Sequence, residues 1–277
     1  MMITATSADG TEVRAYDDGH GPTIVLVGPG LDDGTRCRRI AAILAGRHRV
    51  LRPHRRQYRL ELKTDLVKGS PCTVAQEVED VLALVRTAGG PAVVYGHSSG
   101  GVVALEALVA APSAFAGAVI FEPASSVGRP WAGEETLRRA RAALAAGRPG
   151  RALTIFSRDA VGMPPRQARL VGALTALLPR YRRLVPCQID DLEAMDRLGP
   201  RLDAYAGIEV PAVLLSGGRS LPGIIERVDA VERVMPHAER VVMRGRDHGA
   251  DLKHPKELAR IIEALAGRVL PRSQAKS

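Results

Sequence analysis

The sequence predicts an α/β protein, a doubly wound and mostly parallel sheet carrying a helical insertion. Three observations predict it. Short Val/Ile-rich runs alternate with longer helical patterns. The runs are continuously apolar, as strands covered on both faces are. The alternation is interrupted once, by a stretch of about 80 residues with helical periodicity only, long enough to be a unit of its own. A chain of 277 residues, 45% of them hydrophobic, is long enough for one such domain with an insertion.

Taken in order, "TIVLVGPG" (23–30) reads as a buried strand ending in Gly and Pro, and "RVLRP" (49–53) as a shorter one. "TVAQEVEDVLALVRTAGG" (73–90) carries Val74, Val78, Val81, Leu82 and Val85 at helical spacing, with Thr73 as N-cap and Gly89 as stop. "PAVVYG" (91–96) is the next strand, "SGGVVALEALVAA" (99–111) the next helix and "GAVIFEP" (117–123) a strand again. From Ala124 the rhythm breaks into stretches such as "EETLRRARAALAAG" and "PRQARLVGALTALLPRY". It resumes with a strand at 210–218, a helix at 223–235, a strand at 238–245 and a last helix at 255–267. The expected organisation is a core over 1–123 and 207–270, a helical lid or dimerisation element over 124–206, and a disordered tail over 271–277.

Composition weighs against several classes of function, leaving a basic binder of nucleic acid or an acidic partner through 47–59 only as a rival. The net charge of +9 suggests nucleic acid at first, but 34 of the 39 basic residues are Arg scattered along the chain, whereas a nucleic-acid footprint is a concentrated stripe. The one dense stretch, "RHRVLRPHRRQYR" (47–59), is read as a solvated strand end and loop. Cys37, Cys72 and Cys187 are odd in number and widely spaced, which implies neither a disulfide framework nor a zinc site. The amino terminus lacks a basic leader followed by an apolar stretch, and no run reaches about 18 apolar residues. The expectations are a cytoplasmic protein with no membrane partner and a small-molecule substrate, with a homodimer left open beside a monomer.

The stretch that carries chemistry is Gly96-His97-Ser98-Ser99-Gly100. A G-x-S-x-G between a strand and a helix holds its serine on a strained turn that only flanking glycines permit, over a helix N-terminus. Ser98 fits this frame and Ser99 does not. A serine hydroxyl needs a general base. Of seven histidines, His248 in "GRDHGADLKHP" lies in the loop after the final strand, at the same carboxyl edge of the sheet as Ser98. An oxyanion hole would use the backbone N–H of Ser99 and that of Leu31, after Gly30 in "GPGLDDG". His97 is counted with these as a neighbour of the oxyanion or substrate.

This set resembles the α/β-hydrolase superfamily, its serine-nucleophile branch with a helical lid. The strand-turn-helix "VVYGHSSGGVVALEAL", the Gly-rich loop after the first long strand and the terminal "DHG" come in that family's order. "RPHRRQYR" is similar to the family's "DRRGxGxS", with His54 in place of Asp and with Gln57 and Arg59 in place of Gly. The resemblance implies a catalytic acid after the strand "AVLLSGG", yet "SGGRSLPG" holds no carboxylate before Glu226. Glu122, at the end of the preceding strand, is the alternative and keeps the order Ser, acid, His. Asp32, Asp33 and Asp247 are weaker candidates, and a Ser–His pair without an acid stays open. The resemblance implies a cofactor-free and metal-free serine hydrolase acting on an ester, thioester or related acyl bond. Non-hydrolytic chemistry on the same fold (a lyase, a cofactor-free oxygenase, a cyclase) and a silent ligand-binding protein are the alternatives.

Overall fold

The computed structural model describes residues 1–128 and 130–271. Among them one eight-stranded sheet runs in the order β1-β2-β4-β3-β5-β6-β7-β8. The strands are β1 (Met2–Thr6), β2 (Glu12–Asp18), β3 (Thr23–Val27), β4 (Arg49–Pro53), β5 (Ala92–His97), β6 (Phe115–Phe121), β7 (Ala212–Gly217) and β8 (Glu239–Met243). β1 and β2 pair antiparallel, β2 joins β4 antiparallel, and every other pairing is parallel. This is the expected doubly wound, mostly parallel sheet.

The helices are α1 (Arg38–Leu44), α2 (Val74–Ala88), α3 (Ser99–Ala110), α4 (Gly133–Ala145), α5 (Pro149–Ile155), α6 (Pro165–Leu177), α7 (Pro179–Arg182), α8 (Val185–Leu198), α9 (Leu202–Tyr205), α10 (Pro222–Val234), α11 (Ala250–Lys253) and α12 (Pro255–Val269). Both ends of α2 are chemically specified. Thr73 and Gln76 form a reciprocal capping box, and Gly89 takes the left-handed conformation, φ 84°. Every residue of β3, β5 and β7 is buried. On one face, β residues such as Val25, Val94 and Ile120 pack with α2, α3 and α10 through Val81, Leu105 and Val228. On the other, Ile24, Val93 and Val119 pack with α1 and α12 through Ile40, Leu258 and Ile262. This two-sided burial explains why the central strands read as unbroken apolar runs.

The β1–β2 hairpin and α1 were not anticipated. β1 alternates exposed and half-buried residues, and β2 buries only Val13 and Ala15, so neither offers an apolar run to read. Among the described residues of 124–206 there are helices α4 to α9 and a single isolated bridge, Ser126 to Pro200. Ala140, Leu144, Leu153, Ile155, Val185 and Ile189 give this insertion a small core of its own. Of the tail expected over 271–277, residues 272–277 lie outside the described residues.

The basic stretch 47–59 is the clear correction. It is not a solvated loop: Arg52, Arg55, Arg56 and Arg59 are all buried. Arg49 pairs with Asp17 (2.7 Å), Arg52 with Asp18 (2.8 Å), Arg56 with Asp80 (2.5 Å) and with Asp9, and Arg59 with Glu61 (3.0 Å). Carboxylates from β2, α2 and the loops around them neutralise the charge that the sequence displays.

Candidate active site

Parallel strands β4, β3 and β5 lie side by side, so connections leave the sheet in opposite senses between β3 and β5. A crevice opens at their carboxyl ends at such a point. Two loops meet there, the Gly-rich one after β3 and the sharp turn from β5 into α3. Ser98 stands on that turn with φ 57° and ψ −122°. Its N–H donates to Phe121 O at 3.0 Å, and its carbonyl accepts from Ala124 N at 3.0 Å, tying the turn to β6. The flanking glycines are required by crowding. A Cβ on Gly96 would stand 2.6 Å from both the Ala104 Cβ and the Gly100 carbonyl, and one on Gly100 would run into the Val27 and Gly28 carbonyls.

Among the described residues only Leu31, Ser98 and Glu122 have positive φ without being glycine. All three line one cavity of about 430 Å³. Such backbone costs about 1–3 kcal/mol per residue and gathers at sites of function. Gly30, Ser99 and His248 line the same cavity. Ser99 is the first residue of α3, where an N–H has no partner within the helix. Leu153, Phe156, Val161, Met163, Leu192 and Met195 from the insertion supply apolar walls, and Trp131 adds to them.

The structure brings Glu122 and His248 together. His248 Nδ1 lies 2.5 Å from Glu122 Oε2. Glu122 Oε1 accepts from the Gly217 N–H at 2.7 Å and the Ser220 hydroxyl at 2.5 Å. Gly217 and Ser220 belong to the very segment where the resemblance implied an acid. That loop supplies donors to the carboxylate one strand away. Burial alone would raise the Glu122 carboxyl, but His248, Ser220 and the Gly217 N–H outweigh it and hold it below the usual carboxylate range. Glu122 is therefore ionised at neutral pH. Asp33 instead pairs with Arg180 at 2.6 Å, Asp247 with Lys253 at 2.7 Å, and Asp32 accepts from the Arg36 N–H at 2.9 Å.

His97 sits behind the site. It is fully buried, stacks on Phe121 with ring centroids 4.5 Å apart, and lies 4.5 Å from the His248 ring. It is not among the residues lining the cavity, so the expected contact with oxyanion or substrate does not arise. Its Nδ1 is 3.5 Å from Asp251, whose carboxylate Arg36 grips in a two-pronged pair. Burial pushes the His97 ring down to about 4, against the pull of Asp251. The ring is neutral in the folded protein and takes a proton near 6.5 when unfolded. Stability on this account is full above about pH 6.5 and falls as pH drops toward 4. We expect about 2 kcal/mol to be lost between pH 7 and pH 5 through this ring, measured by urea unfolding. His97→Phe should remove that part of the slope.

Sequence reading missed the polar floor of the cavity. Asp191 on α8, fully buried, accepts from the Ser99 hydroxyl (2.6 Å), the Tyr58 hydroxyl (2.7 Å) and Arg55 (2.9 Å). Arg55 also makes a two-pronged pair with Glu77, at 2.6 and 3.0 Å. One guanidinium thus joins the loop after β4 to α2, α3 and the insertion. The signal was present as "DD" at 190–191 within the otherwise apolar "VPCQIDDLEAM". Arg55→Leu leaves two buried carboxylates without their cation, and should cost about 3–5 kcal/mol of unfolding free energy, read from denaturant midpoints.

An open α/β sheet with a strained serine over a helix, and an acid–histidine pair beside it in one cavity, has the design of a hydrolase. The sequence matches the Alpha/beta hydrolase family over residues 5–261, and the chain belongs to that family. Among solved structures it is similar to an alpha/beta hydrolase from Sphaerobacter thermophilus DSM 20745, with 28% identity over 95% of this chain and 99% of that one and a TM-score of 0.78. It is also similar to a thermophilic esterase from Thermogutta terrifontis (19%, 98% and 100%, 0.73) and to the esterase RhEst1 from Rhodococcus sp. ECU1013 (19%, 97% and 99%, 0.71). A search of curated proteins found no match.

Proposed function

We propose that the protein is a serine hydrolase that cleaves an ester, thioester or related acyl bond of a small, partly apolar substrate through an acyl-enzyme. The observation that carries this reading is the 2.5 Å contact between His248 Nδ1 and Glu122 Oε2, in the cavity that Ser98 also lines. With Nδ1–H held by the carboxylate, Nε2 is the basic nitrogen and is left for the serine. Ser98 Oγ attacks the acyl carbon as His248 takes its proton. The oxyanion is held by the N–H groups of Leu31 and Ser99. The tetrahedral species collapses, His248 hands the proton to the departing alkoxide or thiolate, and the acyl group stays on Ser98. Water then repeats the sequence, with His248 as base and Ser98 as leaving group. Glu122 remains ionised throughout and stabilises the imidazolium.

Size and lining support the substrate class. A cavity of about 430 Å³ with Phe156, Met163, Leu192 and Met195 in its wall suits an apolar acyl or alcohol portion. The insertion over 124–206 acts as the lid of this cavity, and hydrolases with the names of esterases share the fold. The test is stopped-flow turnover of p-nitrophenyl esters of increasing acyl length. A burst of p-nitrophenolate equal to the enzyme concentration, followed by slower steady release, is the expected result. No release above the buffer rate for any chain length would overturn the reading in favour of a non-hydrolytic or silent member of the fold.

A further inference from the structure

We propose that the outer face of the insertion, centred on α6, docks the protein on an anionic lipid surface. The chain holds no Asp or Glu between Asp159 and Asp190, yet carries Arg166, Arg169, Arg180, Arg182 and Arg183 there. Of these, Arg180 pairs with Asp33, whereas Arg166, Arg169, Arg182 and Arg183 make no ion pair among the described residues. Beside α6 lies an open groove of about 440 Å³ whose floor is Gly147, Gly150 and Gly172. Arg148, Arg151, Arg169 and Arg182 line it, with Thr154. None of these four arginines makes an ion pair among the described residues. The groove is a concave cationic seat without a counter-charge.

The second observation is apolar. Leu170, Leu174 and Leu177 follow the i, i+4, i+7 spacing of one helix face and are 59%, 51% and 76% exposed. Leu178 and Tyr181 extend that stripe toward α7. The opposite side of α6 is used inward, through Ala168, Gly172 and Thr175, and Val171 reaches the catalytic cavity. A helix with one face committed to the core and the other showing leucines bordered by arginines has the composition of an interfacial helix. Charge decides among occupants. A second copy laid face to face would oppose these arginines to themselves, and a nucleic acid offers nothing to the leucine stripe. A bilayer with acidic headgroups satisfies both, phosphates over the groove and acyl chains against the leucines. The sequence argued only against spanning, and no described helix is long and apolar enough to cross a membrane. Peripheral contact is a different property, which the absence of a spanning helix among the described residues does not address.

The test is co-flotation of the full chain with vesicles of phosphatidylcholine alone and of phosphatidylcholine mixed with phosphatidylglycerol, at low and moderate salt. Binding to the mixed vesicles only, weakened by salt, is expected. Arg148→Glu/Arg151→Glu/Arg169→Glu should weaken partitioning by at least about a hundredfold, and Leu174→Ser/Leu177→Ser should weaken it at every salt concentration. Both variants change exposed side chains and should keep the far-UV dichroism and unfolding midpoint of the parent. Equal binding to neutral vesicles, no binding to either, or binding that survives the triple charge reversal would overturn the proposal. So would a parent that sediments as a dimer which the leucine variant makes monomeric, since a second copy would then cover the face. The readout is flotation and not turnover, so it stands or falls separately from the hydrolase reading.

Discussion

Under the proposed mechanism, Ser98→Ala is expected to lower kcat for ester turnover by at least about 10⁴-fold while leaving the fold intact. The remaining groups could still bind and polarise an acyl carbonyl, but the hydroxyl proposed to accept the acyl group is gone. The contrast with its neighbour makes the prediction sharp. Ser99 also carries a hydroxyl at the cavity, yet that hydroxyl donates to Asp191 at 2.6 Å and accepts from Arg55 at 2.8 Å. Ser99→Ala keeps the backbone N–H and loses these two side-chain bonds, so stability should fall by about 1–3 kcal/mol while turnover changes little. Steady-state kinetics on the two variants, with their unfolding curves, separate a nucleophile from a brace. Equal activity in Ser98→Ala and the parent would remove the serine mechanism.

Glu122→Gln is expected to lower kcat by about 10³–10⁴-fold. The cause is orientation more than charge. Oε1 of Glu122 accepts two hydrogen bonds, from Gly217 N–H and from Ser220. A glutamine at this position must keep its carbonyl oxygen there, because an NH₂ would face the fixed Gly217 N–H. Its NH₂ then points at His248 Nδ1, which has to become the acceptor, and the proton moves to Nε2. That tautomer cannot take a proton from Ser98. Glu226 lies on α10 and has no place among the lining residues, so Glu226→Gln should leave kcat unchanged. Because Glu122 is held ionised below the usual carboxylate range, the parent enzyme's acid limb near neutral pH should not report this group. Equal small effects at both positions would mean that the acid is dispensable.

Much of the framework could be read directly, and the reasons are physical. The central strands are buried on both faces, so β3, β5 and β7 are unbroken apolar runs. The ends of α2 carry their own stop signals in Thr73 and Gly89. Glu122 was reachable as a candidate through the resemblance, since the segment after β7 offers no carboxylate, although Asp32, Asp33, Asp247 and a pair without an acid stayed open beside it. Other features depend on partners distant in the chain. Arg55 meets Asp191 across 136 positions, and nothing local to "RPHRRQYR" announces that contact. The same stretch was misjudged because arginines are ordinarily exposed. Its neutralising acids come from β2, which has too few apolar residues to be seen as a strand, and from the buried side of α2. The position of His97 within the turn implied a ring directed away from Ser98, and the ring is indeed buried behind the site, so its grouping with the oxyanion and substrate neighbours does not follow.

The most direct measurement is peptide-level mass spectrometry after reaction with a fluorophosphonate, which captures a serine only where a base and oxyanion donors activate it. Stoichiometric phosphonylation of Ser98, lost in Ser98→Ala and slowed in Glu122→Gln, is the outcome this account requires. Modification at Ser99 or another residue, or a protein that hydrolyses esters with Ser98 unmodified, would contradict it.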